Sequence, residues 1–597
     1  MQKYSELLRT LLEKRGVADA EQAEIFLNPS YERDFYDPFL MRDMEKACVR
    51  LYEAIENKEK IIIYADYDCD GIPGAVIFND LFKLVGYENY EIYIPLRNSE
   101  GYGLNLVAIK QFSENGVKLL ITVDLGITAV AEVAQAEADG IDVIIIDHHL
   151  PKQKIQPIKN SPAFALGVEK TGDPRLLNFL QSEFLLPRAY AILNPKVDEY
   201  PEKMLCGAGV VFKFMQGFIH KYGKENENFG IKNGQEKWML DMAGLATLSD
   251  MVPLTGENRA IAYFGMKVLK KSARPGLQKL LAKMKIEQGY LSVDDIGFMV
   301  TPRLNAASRM DDPMRAYEIL STRDEAKAGL LSDHLSKIND ERKNIVKNIM
   351  RDVNKHIDKK FENGIETDVI VIGNPEWKVG VLGLVAGKIS DKYKKSVFVW
   401  AKDENNCIKG SCRSDGSVSV VELMSENSES FVDFGGHELA GGFTVCDDKI
   451  HFLEEALSVS FKKITTPLRS ESEHPSLIKE GKNIKDMKLS LSDVNMKNWK
   501  ELEKLAPFGI GNPKPVFLFP DIKIEKIKKF GKNGSGEHLE IVFSDLSGKA
   551  TAISFFSDYD SFDIPIAENK TVNLLATFDL SRFRGRVELR LRVENIL

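Results

Sequence analysis

The sequence lacks any apolar stretch of the roughly 18–20 residues that a membrane-spanning helix needs, so no such helix is expected. Its six cysteines (Cys48, Cys69, Cys206, Cys407, Cys412, Cys446) are scattered and form no CxxC pair. That excludes a dense disulfide framework and fits a reducing, cytoplasmic setting. There is no sequence repeat and no low-complexity tract. The opening stretch, MQKYSELLRTLLEKRG, reads as an amphipathic polar helix without the apolar core of a signal peptide. Positive charge is not in excess either: the net charge is −8, which gives no overall pull toward nucleic acid. A local basic groove stays compatible with that total, because clustered acids of a metal site would contribute to it.

What is present is an ordinary soluble composition, 44% apolar and 28% charged, in 597 residues. That length is too great for one core, so three or four domains are expected. Residues 1–57 read as a helical segment packing against the domain that follows. From 58 to about 150, short β-branched runs (IIIYAD, EIYIP, LLITVD, DVIIID) alternate with helix-period segments that carry Gly near their ends. This pattern predicts a parallel sheet covered on both faces. Residues 222–237 read as a polar loop and the stretch to about 310 as helix-rich. A long connecting helix is predicted over 313–362, interrupted near Ser321, and a second α/β block over 363–465. A polar linker is predicted over 466–504, and the strand-like runs of 505–597 suggest a small β-barrel.

Residues 61–71, IIIYADYDCDG, end an apolar run in Asp66, Asp68 and Asp70. D-x-D-x-D-G opens an EF-hand loop, but the twelfth position is Ile77 instead of a bidentate Glu, and a strand-like run precedes Asp66. A calcium loop is therefore rejected. Asp66 ends its strand, Asp124 ends LLITVD, and Asp147 ends DVIIID with His148 and His149 directly after it. In an open parallel sheet the C-terminal strand ends share one edge, where ligands bind. So many carboxylates in one crevice raise each other's pKa unless a cation neutralises them. Oxygen ligands with imidazole suit Mn²⁺ or Mg²⁺ better than Zn²⁺. The number of acids favours two ions, which in phosphoryl displacement sit about 3.5–4 Å apart.

In this order, IIIYADYDCDG, ITVDLGIT and IIIDHHLP resemble the DHH phosphoesterase superfamily. PLRNSEGYG, LCGAGVVFK, LATLSDMVPLTGENR and TPRLNAASRM are similar to successive motifs of its RecJ exonuclease family. EWKVGVLGLVAGKI, IKGSCRS and FGGHELAGGF are similar to that family's DHH-associated domain, and LAPFGIGNPKPVF to the entry of its oligonucleotide-binding barrel. The resemblance implies two parallel-sheet α/β domains joined by a long helix, plus a C-terminal OB-fold barrel. It implies Asp68, Asp70, Asp124, His148 and Asp250 as metal ligands, with Asp66 in the same cluster and Asp124 bridging both ions. His149 would face the scissile phosphate. Arg97, Arg303, Asn305, Arg309, Ser411, Arg413, Gly436 and His437 would contact phosphate or DNA, the guanidinium forks and hydroxyls being suited to phosphate oxygens.

The activity so implied is two-metal hydrolysis of single-stranded DNA from the 5′ end, in repair and recombination. The implied partners are single-stranded DNA, a single-strand-binding protein and a helicase, with the chain a monomer and no membrane involved. Basic residues beside Phe530 in KIEKIKKFGKNG and beside Phe583 in SRFRGR fit a barrel that grips single strands. Four positions depart from the family pattern: Tyr64 and Lys378 stand where His is common, Leu125 where a polar residue is usual, and Ser308 where Gly is usual. Two other readings are a dinucleotide phosphodiesterase of nanoRNase type, whose relatives lack the barrel, and an inactive scaffold, which would be expected to have lost metal ligands.

Overall fold

The computed structural model describes the chain except residues 2, 154–183, 224–228, 230, 233, 363–366, 466–484, 532–537 and 584–585. Residues 466–484 of the linker expected over 466–504, part of the polar loop expected over 222–237 and the tips of both basic hairpins lie outside the described residues; the rest of that linker carries the helix Met496–Glu503. Among the described residues no helix is long and apolar enough to cross a membrane.

The first α/β domain is built on strands β1 (Lys60–Ala65), β2 (Tyr90–Tyr93), β3 (Val117–Val123) and β4 (Asp142–Ile146), and on the strand Ala191–Leu193. They pair in the order β2-β1-β3-β4-(191–193), and every pair is parallel. Alternate residues face opposite sides of a strand. Ile62, Tyr64, Leu120 and Ile145 thus share one core with Ala108, Ile109 and Val133 of the helices Leu106–Glu114 and Val130–Ala138. On the other side the helix Gly71–Val85 lies so close to β3 that a Cβ on Gly74 would sit 2.5 Å from Val123 Cγ1. The chain leaves β1 for β2 and returns to β3 on the far side of β1, so the C-terminal ends of β1 and β3 flank the point where strand order reverses. Such points open a crevice for ligands.

The helix Glu325–Glu362 follows a shorter one, Met314–Ser321. Its first half packs on the helices Pro275–Lys283 and Thr301–Met310. Its second half gives Val346, Ile349, Val353 and Ile357 to a core shared with Val381, Val385, Ile389, Val397 and Val399 of the second α/β domain.

The sheet of that second domain corrects an expectation. Its order is (431–437)-(440–445)-(408–413)-(396–402)-(369–373), and only Val369–Gly373 with Ser396–Lys402 is parallel. The other pairs are antiparallel. The reason is local: 402 to 408 and 437 to 440 are connected by short turns, whereas a parallel neighbour needs a crossover of a dozen or more residues.

Residues 517–596 close a barrel in which Phe517–Phe530 pairs with both His538–Asp545 and Thr571–Phe583. The barrel and residues 1–36 form one compact unit together with 251–264, while the two α/β domains form another. This divides the segment 1–57. Leu7, Leu8, Leu11 and Leu12 of the helix Glu6–Glu13 are buried with Phe517, Phe519, Phe543 and Leu591 in the barrel core, not in the first α/β domain. Each such burial contributes roughly 1.5–3 kcal/mol. The helix Met44–Glu56 does pack on the α/β domain, against the helix Gly207–Tyr222.

Candidate metal centre and phosphate-binding surface

Asp66 follows β1, Asp124 follows β3 and Asp147 follows β4, at adjacent strand ends of one sheet edge. The turn after β1 is tight: Asp68 Oδ1 accepts from Asp70 N at 2.8 Å and from Gly71 N at 3.3 Å. A Cβ at Gly71 would lie 2.4 Å from the Asp66 carbonyl oxygen, so only glycine lets the helix start there. The Asp70 carboxylate accepts from Gly207 N at 2.6 Å and Ala208 N at 2.7 Å. It thereby caps the N-terminus of the helix Gly207–Tyr222, where backbone donors and the helix dipole favour an anion. Gly207 is itself required, since a Cβ there would stand 2.7 Å from Asp124 Oδ1. Asp250 arrives from elsewhere, at the C-terminus of the helix Leu240–Ser249.

Three sets of side chains each bring their ligand atoms within 4.8 Å of one another: Asp66, Asp68 and Asp124; Asp70, His148 and Asp250; and Asp124, His148 and His149. His148 Nε2 lies 3.2 Å from Asp124 Oδ1, 3.7 Å from Asp70 Oδ2 and 4.0 Å from Asp250 Oδ2. Asp124 belongs to two of the sets and lies between the remaining ligands.

The electrostatics of these groups call for a cation. Burial, then Asp68, holds the Asp66 carboxyl well above its ordinary range. Burial, then Asp70, Asp68 and Asp66, does the same to Asp124. Burial and Asp68 push Asp70 up to about 6; burial with Asp70 and Asp68 pushes Asp250 up to about 8. Asp66 Oδ1 and Asp124 Oδ1 are buried without a hydrogen-bond partner. Burial, reinforced by the neighbouring His149, lowers His148 to about 3, so its ring is neutral and able to ligate. Carboxylate oxygens with one or two imidazoles are the donor set of Mn²⁺ or Mg²⁺, and these residues fit such ions.

Asp147 is different, and it corrects the expectation of a third carboxylate open to the crevice. Its Oδ1 accepts from His148 N at 2.7 Å and His149 N at 3.0 Å and lies 2.8 Å from His149 Nδ1, while Oδ2 accepts from Ile127 N at 2.9 Å. Burial opposes its charge, but the bond to His149 and the charge of that ring bring it down to about 2. It positions the histidines and belongs to none of the three ligand sets. His149 is raised in turn: burial lowers it, and Asp147 more than compensates.

Tyr64 points away from the cluster. Its hydroxyl donates to the Gly103 carbonyl at 3.0 Å, and its ring stacks on Tyr93 at 5.0 Å between centroids. Leu125 is buried among apolar neighbours, Ser308 Oγ donates to the Asn305 carbonyl, and Lys378 Nζ donates to the Met310 carbonyl. None of the four departures therefore displaces a carboxylate of the cluster.

The second domain reaches the same site. The His437 ring lies parallel to His149, 5.8 Å between centroids and 3° between planes. The adjoining Gly436 has φ 144°, and a Cβ there would meet the Ala440 carbonyl oxygen at 2.3 Å. Arg413 Nη1 donates to Ser411 Oγ at 3.2 Å, and Ser411 Oγ donates to the Gly441 carbonyl. Arg97 packs on the Tyr67 ring at 5.0 Å. Burial and the neighbouring guanidiniums of Arg97, Arg342 and Arg413 push Arg309 down to about 9, while Asp68 pulls the other way. Arg97, Arg309 and Arg413 are thus gathered beside the acidic cluster. Arg303 and Asn305 stand on the same helix as Arg309, one to two turns earlier.

Sequence reasoning missed Tyr102, whose hydroxyl is 3.3 Å from His149 Nδ1, and Arg342, which lies on the long helix. Tyr102 sits in the quoted GYG; nothing in the sequence singled out Arg342.

Comparison with known proteins agrees with this geometry. Residues 60–165 match the N-terminal domain of the DHH family, 366–464 the DHHA1 domain and 485–595 the RecJ OB domain. The chain is 31% identical over 593 residues to the single-stranded-DNA-specific exonuclease RecJ of Bacillus subtilis, covering 99% of this chain and 67% of that protein. It is 28% identical to the Escherichia coli protein of the same name, covering 99% and 95%. The crystal structure of RecJ in complex with Mn²⁺ from Thermus thermophilus superimposes with a TM-score of 0.75 at 22% identity, covering 100% of this chain and 76% of that one.

Proposed function

The chain belongs to the RecJ family of single-stranded-DNA-specific exonucleases, and on that footing we propose that it hydrolyses single-stranded DNA from the 5′ end, releasing mononucleotides. The observation that carries the reading is the overlap of three ligand sets on Asp124 and His148, at a sheet edge where two carboxylate oxygens are buried and unpartnered. Asp66, Asp68, Asp70, Asp124, His148 and Asp250 would hold two Mn²⁺ or Mg²⁺ ions. Bound there, such ions supply an activated water at neutral pH and neutralise charge on the attacking and leaving oxygens.

The chain's own groups do the rest. Asp147 fixes the His149 ring through Nδ1 and leaves Nε2 to face the phosphate. Charge on His149 then offsets charge developing on phosphate oxygens. Arg97, Arg309, Ser411 and Arg413 would hold the terminal 5′ phosphate, which sets the polarity; fork-shaped guanidiniums recognise such an anion bidentately. His437 and Gly436 would close the cleft over the reacting group. A narrow channel between the two α/β domains would admit one strand and exclude duplex.

The barrel would bind single strands by stacking and charge. Its presence speaks against a dinucleotide phosphodiesterase, and the retained ligands speak against an inactive scaffold. The family context supports work in DNA repair and recombination in the cytoplasm, as a monomer alongside a single-strand-binding protein and a helicase.

The test uses the protein and its Asp124→Asn variant with Mn²⁺ on 5′-labelled or 3′-labelled single strands of DNA and RNA, with duplex as control. Immediate release of labelled mononucleotide from the 5′ end of DNA, absent in the variant, is expected. Release from the 3′ end first, or equal activity in the variant, overturns the reading.

A further inference from the structure

Asp250 is held less firmly by its own side chain than the other ligands of the metal cluster. That side chain is 32% exposed, against 2% for Asp70 and 4% for Asp124. Among the described residues its carboxylate accepts no hydrogen bond, whereas that of Asp70 accepts two. Its place therefore depends on the backbone that carries it, at the tip of a hairpin made by the helices Leu240–Ser249 and Gly256–Leu269. The incoming side of that tip is fixed within the α/β unit. The two helices approach so closely that a Cβ on Gly265 would lie 2.6 Å from Gly244 Cα, and Ser249 Oγ lies 2.6 Å from Thr301 Oγ1.

The outgoing side is fixed elsewhere. The α/β unit closes one of its segments at Asp250, and Met251 begins the segment that is compact with the barrel. Met251 has a φ of 59°, a left-handed value unfavourable to a residue with a Cβ, so the turn must be held from outside. Within the barrel unit the hold is explicit. Leu254 N donates to the Ile510 carbonyl at 2.7 Å. The turn around Ile510 is closed by backbone bonds between Gly509 and Asn512 in both directions, at 2.9 and 3.1 Å. The buried Asn512 Nδ2 donates to the Leu505 and Pro507 carbonyls, each at 2.8 Å. Arg259, on the helix that follows Leu254, donates to the Ala506 and Pro507 carbonyls at 3.1 and 3.3 Å. A Cβ on Gly509 would stand 2.8 Å from Leu254 Cδ1, so the turn and Leu254 fit without room for another methyl group.

We infer that the barrel-entry turn 508–512 is a positioning element of the metal site: by seating Leu254 it fixes Asp250, and so sets the affinity of the ion that Asp70, His148 and Asp250 would share. The inference rests on the metal-cluster reading above. A displaced Leu254 shifts the short backbone stretch that begins at Asp250, and a carboxylate without hydrogen bonds of its own follows that stretch. The set Asp66, Asp68 and Asp124 lies on the sheet edge and has no such tie, so one ion responds and the other does not. By linkage, whatever reshapes the turn is felt at the ion, and ion binding is felt at the turn.

Isothermal titration with Mn²⁺ separates the two ions and needs no substrate. In Gly509→Val, whose side chain collides with Leu254, one ion is expected to bind at least about tenfold more weakly and the other within about twofold of the wild type. Adding Leu254→Ala makes room and returns the weakened ion to within about threefold, although it lowers the melting temperature further. A merely structural turn gives the opposite pattern, in which affinity follows melting temperature. Leu11→Ala weakens the same unit away from the turn and keeps both affinities. Equal weakening of both ions in Gly509→Val, or no recovery in the double variant, overturns the inference. If Gly509→Val does not fold, Asn512→Ala, which opens the turn by removing two of its bonds, is read in the same titration, and two unchanged affinities there overturn it. A wild type that takes up no Mn²⁺ overturns the metal-cluster reading together with this inference. A wild type that binds two ions, with Gly509→Val binding both equally well, overturns the inference alone.

Discussion

Asp147 holds His149 by its Nδ1 at 2.8 Å while accepting both backbone amides of the His148–His149 pair. One carboxylate thus fixes the ring, its tautomer and the loop that carries it. Partners of this kind are worth about 10–100-fold in metal affinity or activity. In Asp147→Asn the kcat in saturating Mn²⁺ is expected to fall by about that factor, while the KM for single strands changes little. Steady-state kinetics on a 5′-phosphorylated single strand check this; an unchanged kcat would show that His149 needs no such anchor.

Asp70 at about 6 and Asp250 at about 8 are both raised from 3.8, by burial first and by neighbouring carboxylates second. In the metal-free protein the fold therefore favours the protonated acids. That contribution is complete below about pH 4 and disappears as pH rises through 6 and then 8. The metal-free melting temperature is expected to decline between pH 5.5 and 8.5, and Mn²⁺ to restore more of it at the upper end. Ion binding near pH 7 should release at least one proton, since Asp250 is still mostly protonated there and the Asp66 and Asp124 carboxyls are raised as well. Calorimetry in buffers of different ionisation enthalpy measures the release, and a value of zero contradicts the raised pKa values.

Tyr64 occupies a position where the family commonly has histidine, yet its hydroxyl is spent on the Gly103 carbonyl. Tyr64→Phe should cost about 1 kcal/mol of stability and leave Mn²⁺ affinity within about twofold. A tenfold weaker ion would place the hydroxyl in the metal site.

Leu11 is fully buried in the core that the helix Glu6–Glu13 shares with the barrel. Leu11→Ala should destabilise that unit by roughly 2–5 kcal/mol. Differential scanning calorimetry would show the loss in one transition, and isothermal titration would find Mn²⁺ affinity at the cluster unchanged. Lost ion affinity would mean that the N-terminal helix supports the α/β domain instead.

Much of this was legible because β-branched runs and the acids that end them are local signals. A parallel strand buried on both faces must be apolar throughout, so Asp66, Asp124 and Asp147 stood out at their ends, and parallel pairing brings such ends to one edge. The same logic could not tell an open ligand from Asp147, whose oxygens are saturated by amides of its own loop. Nor did it show that the second sheet is mostly antiparallel, because an apolar β-branched run reads alike whichever way its neighbour runs.

By itself, then, the sequence determined the acidic edge of the first domain, the long helix and the strand-rich C-terminal segment, each set by periodicity within a dozen or so residues. Tertiary structure alone decided that Asp250 meets His148 and that the first helix joins the barrel core. Those pairings each join a helix to a segment distant in the chain. A helix records in its sequence only which face is apolar, and the packing of the whole core chooses what that face will meet.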